Sequence, residues 1–168
     1  GELITISVGV VGTDPAGNSN TAATDFTWTY DTTAPTVVIT SSAVNTGGSH
    51  NGAATMIFTF SEEMTGISST DFTFTNCASS DFSVETANTV FHQVCTPDTP
   101  GETITVAVAV NKGTDPAGNN NAAATDFTFT YETTAPTVVI ASTEVDTGGR
   151  INEAVTFTVT FNEEMTGI

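Results

Sequence analysis

Carboxylates at three places in the chain are the residues best placed to do chemistry. Asp31 precedes a Thr-Thr-Ala-Pro segment, Glu62 and Glu63 stand together, and Asp115 opens an Asp-Pro-Ala-Gly-Asn run that Asn119 closes. These are hard oxygen donors, the ligand type that calcium gathers from several chain segments at once. Glu132, Glu163 and Glu164 repeat the first two places later in the chain, and Asp14 with Asn18 repeats the third place earlier. No EF-hand loop and no Asp-rich nonapeptide occurs, so only a fold can bring the acids together. A plainer reading stands beside this one. Asp-Pro-Ala-Gly-Asn is a turn in its own right, with Pro presetting φ and Gly supplying a positive φ, and Glu62 and Glu63 also suit a solvated loop.

Other chemistries find no footing. His50 lies in a Gly-rich stretch and His92 in an alternating one, neither with a nucleophile and an orienting acid at a recognisable spacing. Glu62 and Glu63 are sequence neighbours and cannot flank one glycosidic bond. The single lysine, Lys112, ends an apolar run beside a loop, which argues against a buried isopeptide cross-link. Trp28 stands at an inward position of its strand and reads as core. Thr-x-Thr rows follow from ordinary strand alternation rather than from ice binding. Cys77 and Cys95 have no histidine or second thiol pair to complete a zinc set. They are expected to form a disulfide, which implies an oxidising, secreted setting; two independent thiols are the alternative.

The chain repeats itself. Shifted by 101 positions, Gly12–Ile67 overlies Gly113–Ile168 without a gap, with 40 of 56 positions identical. YDTTAPTVVI at 30–39 returns as YETTAPTVVI at 131–140, and GELITISVGV at 1–10 matches GETITVAVAV at 101–110 with an offset of 100. Pro35 fixes its own φ and holds Ala34 extended, so Thr-Thr-Ala-Pro reads as a short, stiff spacer between units. With the boundary there, 32–132 is one whole unit, 1–31 holds the last two strands of a preceding unit, and 133–168 holds the first two of a following one. Such a window belongs to a longer array.

Within the unit the pattern has a period of two. In ATDFTFTY, Phe127, Phe129 and Tyr131 share one face and Thr128 and Thr130 the other; TMIFTF, DFTFTN and TFTVTF behave alike. Alternation of aromatic and β-branched residues marks half-buried strands. Seven are expected, over 36–40, 54–61, 71–76, 81–85, 89–96, 102–110 and 124–131. NTGG, SEEMTG, CASS, TAN, TPDTPG and DPAGNNN supply the turns between them. Seven short strands in about 100 residues fit an immunoglobulin-like β-sandwich. In that fold the entry linker, the loop after the second strand and the loop before the last strand share one pole. Asp31, Glu62, Glu63, Asp115 and Asn119 would meet there, at the joint with the preceding unit.

DPAGN, a Phe-Thr-Phe strand and then DTTAPTVVI resemble the bacterial Ig-like tandem repeats of large extracellular adhesins and stalk proteins. FTFSEEMTG followed by SSTDFTFTN resembles the same broad class, which also occurs in algal secreted proteins. The resemblance spans the chain. It implies an all-β fold of tandem sandwiches of about 101 residues, joined head to tail outside the cell, and junctional calcium, which some such repeats bind. Glu132 and Glu163 would serve the next joint.

The expected role is mechanical: a stalk, fibre or filament at the cell surface, each unit adding roughly 40 Å. Its partners would be adjacent repeats and identical chains in a homopolymer. An adhesive module that grips a glycan or protein through its loops is the alternative, and an accessory domain of an enzyme is a third class. The formal charge of −17 and pI of about 4.1 disfavour nucleic acid and anionic membranes, favour cations, and also suit simple solubility.

Overall fold

The computed structural model describes every residue except Thr86 and Ile168. It divides into two compact units, Gly1–Glu132 and Thr133–Ile168.

The first unit opens with β1 (Glu2–Ile6) paired antiparallel to β2 (Phe26–Tyr30). A β-sandwich follows. Its strands are β3 (Val37–Ser41), β4 (Ser49–His50), β5 (Ala54–Phe60), β6 (Phe72–Thr75), β7 (Cys77–Val84), β8 (Val90–Pro97), β9 (Thr103–Val108) and β10 (Phe127–Tyr131). One sheet has the order β3-β5-β8-β7 and the other β4-β10-β9-β6. The first, second, fifth and fourth long strands thus share one sheet, and the third, sixth and seventh share its partner. This is the immunoglobulin arrangement.

Alternation sets the core. On β5, Ala54, Met56, Phe58 and Phe60 point inward, and on β9 Ile104, Val106 and Val108 meet them, all buried. Phe58 stacks on Phe72 across the sandwich with ring centroids 3.8 Å apart, and Phe60 and Phe91 meet edge to face at 5.6 Å. Thr73, Thr75 and Thr103 face water. The Thr rows are therefore the wet side of ordinary strands.

Three expectations change. Cys-Ala-Ser-Ser is not a turn but the first half of β7, which begins at Cys77 rather than at 81. The corner is the single residue Asn76, at φ 63, whose side chain donates to Thr103 O. Asn is one of the few residues that takes this conformation readily, and one residue is enough to carry the chain from β6 in one sheet to β7 in the other. The stretch holding His50 contributes an eighth strand, β4, which pairs parallel with the end of β10. It is only two residues long, too short for periodicity to reveal. The last two strands are shorter than the apolar runs that announce them, because 109–126 folds as loop around Asn121.

The structure joins Cys77 to Cys95, with their Cα atoms 5.7 Å apart. Ser79, not Cys77, stands opposite Cys95, so the bridge runs diagonally between β7 and β8. It ties the sheet's edge strand to its buried neighbour. Closing a loop of separation 18 contributes about 3 kcal/mol in the chain-entropy account.

The second unit pairs β11 (Val138–Ala141) antiparallel with β12 (Thr158–Phe161). No described helix is long and apolar enough to cross a membrane.

Candidate metal centre at the Thr-Thr-Ala-Pro joint

Asp31 follows directly on β2. Its Oδ1 accepts from Thr33 N at 3.0 Å, and its backbone O accepts from Asn119 Nδ2 at 3.1 Å. Farther along the linker, buried Pro35 receives Ala122 N on its carbonyl at 2.8 Å. The spacer is therefore hydrogen-bonded at both ends to the loop between β9 and β10.

Glu62 and Glu63 lie on the loop after β5, which is held down by buried Met64. Thr65 and Thr114 exchange backbone hydrogen bonds of 2.7 and 3.1 Å, and their hydroxyls meet at 2.9 Å. This bridge zips the Glu62 loop to the Asp115 loop. Gly113 permits it, because a Cβ there would lie 2.6 Å from Ile67 Cδ1 and 2.8 Å from Thr65 O. Gly113→Ala is expected to destabilise the sandwich by about 1–3 kcal/mol through this overpacking. Gly12→Ala, where a Cβ meets nothing, should leave the urea midpoint unchanged.

Asp115 is 2 % exposed. Its Oδ1 accepts from Asn119 N and its Oδ2 from Asn119 Nδ2, both at 2.8 Å. Under the loop sits Asn121, equally buried and fully bonded. Its Oδ1 accepts from Lys112 N at 2.8 Å and Gly113 N at 3.1 Å, while its Nδ2 donates to Ala109 O and Ala122 O at 2.9 and 2.8 Å. Asn20 makes the matching four bonds in the loop between β1 and β2. Neither Asn121 nor Gly113 is singled out by sequence reasoning. The available signal was that both recur at the 101-residue offset, as Asn20 and Gly12.

The result is one convergence of acids. A carboxylate oxygen from each of Asp31, Glu62 and Asp115 lies within 4.8 Å of the others, the one such group of three among the described residues. Ligands 2.3–2.6 Å from a shared calcium ion stand up to about 5 Å apart, so the spacing fits that ion. Glu63 joins the three acids in lining a cavity of about 390 Å³ but is not one of the converging groups. Asn119 acts through its amide as a clamp on Asp31 and Asp115.

The electrostatics are uneven. Asp115 is held below the ordinary carboxylate range chiefly by the Asn119 side chain, and Asp31 chiefly by the Thr33 backbone N–H. Glu62 is pushed up, first by burial and then by the charges of Asp115 and Asp31. A divalent cation would suit this donor set, since it would offset the mutual repulsion that adds to burial in raising Glu62.

The remaining acids lie elsewhere. Glu132 donates its backbone N–H to His50 O and is not one of the three, and Glu163 and Glu164 are exposed in the second unit. Asp14 and Asn18 rebuild the Asp115–Asn119 hydrogen bonds in an exposed loop. His92 Nε2 meets Glu85 Oε2 at 2.7 Å, and the His50 ring meets Ala53 O at 3.3 Å.

No curated protein and no solved structure matches the chain. Residues 31–131 match the family described as bacterial Ig-like domain. The match starts at the first acid of the cluster and ends at the last residue of β10. With more than half of its length so matched and its strands in immunoglobulin order, the chain belongs to the bacterial Ig-like domain family.

Proposed function

We propose that the chain is part of an extracellular stalk or fibre, built from tandem Ig-like sandwiches of about 101 residues whose joints calcium stiffens. The units are 1–31, 32–132 and 133–168, the outer two being partial. The observation that carries this reading is the position of Asp31. It leaves the last strand of one repeat and meets Glu62 and Asp115 of the next within 4.8 Å. An ion held there would resist bending at the joint, and the bonds from Asn119 and Ala122 to the spacer already limit it. The disulfide supports an oxidising compartment outside the cell. The family fold is a non-enzymatic class.

The test is thermal unfolding in millimolar calcium and then in chelator. The expected result is a higher midpoint with calcium that disappears in Asp115→Asn. No change with calcium would remove the metal and leave the joint to its hydrogen bonds.

Glu62→Gln separates charge from metal binding. The raised Glu62 group contributes stability while protonated, and that contribution is lost as pH rises through its folded pKa. Asp31 and Asp115 run oppositely, contributing above their unfolded pKa and losing it as pH falls through the folded one. At neutral pH without metal, Glu62→Gln should raise the midpoint by on the order of 3 °C. It should also shrink the calcium response. A lowered metal-free midpoint would sink the assignment.

A further inference from the structure

The complete sandwich sends its chain out at opposite poles, so a pull on the repeat runs along the strands. Asp31 leaves beside the loop between β9 and β10, where Asn119 Nδ2 donates to its backbone O at 3.1 Å. Glu132 leaves at the other end of that strand pair, where Gly101 N donates to Tyr131 O at 2.6 Å and Tyr131 N to Glu102 O at 3.0 Å. Tension from the Asp31 side enters β3 and passes on to the segment 46–50. Tension from the Glu132 side enters β10.

These two segments lie against each other. Thr128 N donates to Thr46 Oγ1 at 3.2 Å, Gly47 N to Thr128 O at 2.7 Å, Thr130 N to Gly48 O at 2.9 Å and Glu132 N to His50 O at 3.0 Å. The pairing is parallel, with Ser49 beside Thr130 and His50 beside Tyr131. One segment is drawn from its N-terminal end and the other from its C-terminal end. In a parallel pair the two must then slide past each other, and the bonds between them are loaded together. The β1–β2 hairpin differs. Glu2 lies beside Tyr30, so its chain enters and leaves at one end and a pull parts the pairs one at a time. A tight turn sets the path of 46–50: Gly48 N donates to Asn45 O at 3.0 Å and Gly47 takes φ 78. A Cβ at Gly48 would lie 3.1 Å from both Asn45 O and Val44 Cγ2. The disulfide stands off this path, joining β7 and β8 at the opposite edge of the sheet from β3.

We propose that the parallel contact between 46–50 and 128–132 is the mechanical clamp of the repeat, the contact that must rupture before the sandwich yields to tension. The clamp deepens the stalk reading and rests on it for its use, but it needs no metal. Forced unfolding follows the unfolding rate rather than equilibrium stability. The clamp therefore sets the rupture force, while the disulfide sets stability and the length of chain released.

The test stretches single 168-residue chains by their termini in chelator. Length identifies the sandwich event: the disulfide closes a loop of separation 18, so reductant should lengthen that event by roughly 60 Å. The sandwich should rupture at several times the force that opens the hairpins. Reduction should leave that force unchanged although it lowers the urea midpoint. Thr46→Val with Gly48→Ala should bring the force down toward that of the hairpins, with the midpoint lowered no further than by reduction. Thr46→Val alone, at an exposed residue, should give a smaller drop in a sandwich that folds. A sandwich that opens at the hairpin force would overturn the clamp. So would a force unchanged in both variants, or one that falls as far on reduction as in the double variant. A melting midpoint indifferent to calcium would count against the metal joint alone and leave the clamp force as it is.

Discussion

Asn121→Ala should cost the sandwich roughly 3–4 kcal/mol, seen as a lower urea midpoint at unchanged slope. The side chain, itself 2 % exposed, satisfies two backbone N–H groups and two carbonyls, the Gly113 N–H among them buried and the other three partly so. Leaving buried donors or acceptors unsatisfied costs about 1–3 kcal/mol each, and relaxation of the loop recovers part of it. Asn121→Asp should be worse, since a buried carboxylate would face Ala109 O and Ala122 O. Asn20→Ala is the control: it removes the same four bonds where all the groups are exposed and water can replace the amide. Its effect on the sandwich should be under about 0.5 kcal/mol. Equal losses in the two variants would show that burial of Asn121 is not what matters. Function follows from the same residue. Asn121 shapes the loop that presents Asp115, so the variant should also weaken any calcium response.

Asn121 is also the residue of the site least legible in the sequence. Alternation in TMIFTF and DFTFTY places Phe58, Phe60, Phe127 and Phe129 on inward faces, because a strand's period of two admits no other solution once one face is apolar. Sandwich topology then brings the loops at one pole together, which is how Asp31, Glu62 and Asp115 are legible as neighbours although 84 residues separate the first from the last. Asn121 hides for the opposite reason. It sits among Asn119, Asn120 and Asn121, and composition alone cannot tell a turn residue from a buried plug. Only the four hydrogen bonds separate them. The first half of β7 hides because an edge strand pairs on one side and needs little apolar surface. Ala78, Ser79 and Ser80 are exposed, and half-buried Phe82 and the disulfide do the anchoring. Glu132, Glu163 and Glu164 stand at the repeat positions of Asp31, Glu62 and Glu63, but the group of three converging acids among the described residues does not include them.

Phe58→Ala should lower stability by about 3–5 kcal/mol, the range for deleting a buried ring that its neighbours cannot replace. Phe58 has no exposed surface, stacks on Phe72 at 3.8 Å and meets Phe74 edge-on at 6.3 Å, so it links the two sheets. The repeat itself suggests how the loss can be limited. At the 101-residue offset, Met56 and Phe58 become Phe157 and Val159. The ring moves two positions along the same face of the strand, and a smaller valine stands where Phe58 was. Phe58→Val alone should therefore leave a cavity, and Met56→Phe alone should overpack. The double variant should be more stable than the sum of the two by at least about 1 kcal/mol, because each change fills or vacates space the other needs. Urea unfolding of the four proteins gives the coupling directly. Strict additivity would mean that the two positions do not share a cavity. The substitutions between repeats would then be independent rather than alternative solutions of one core.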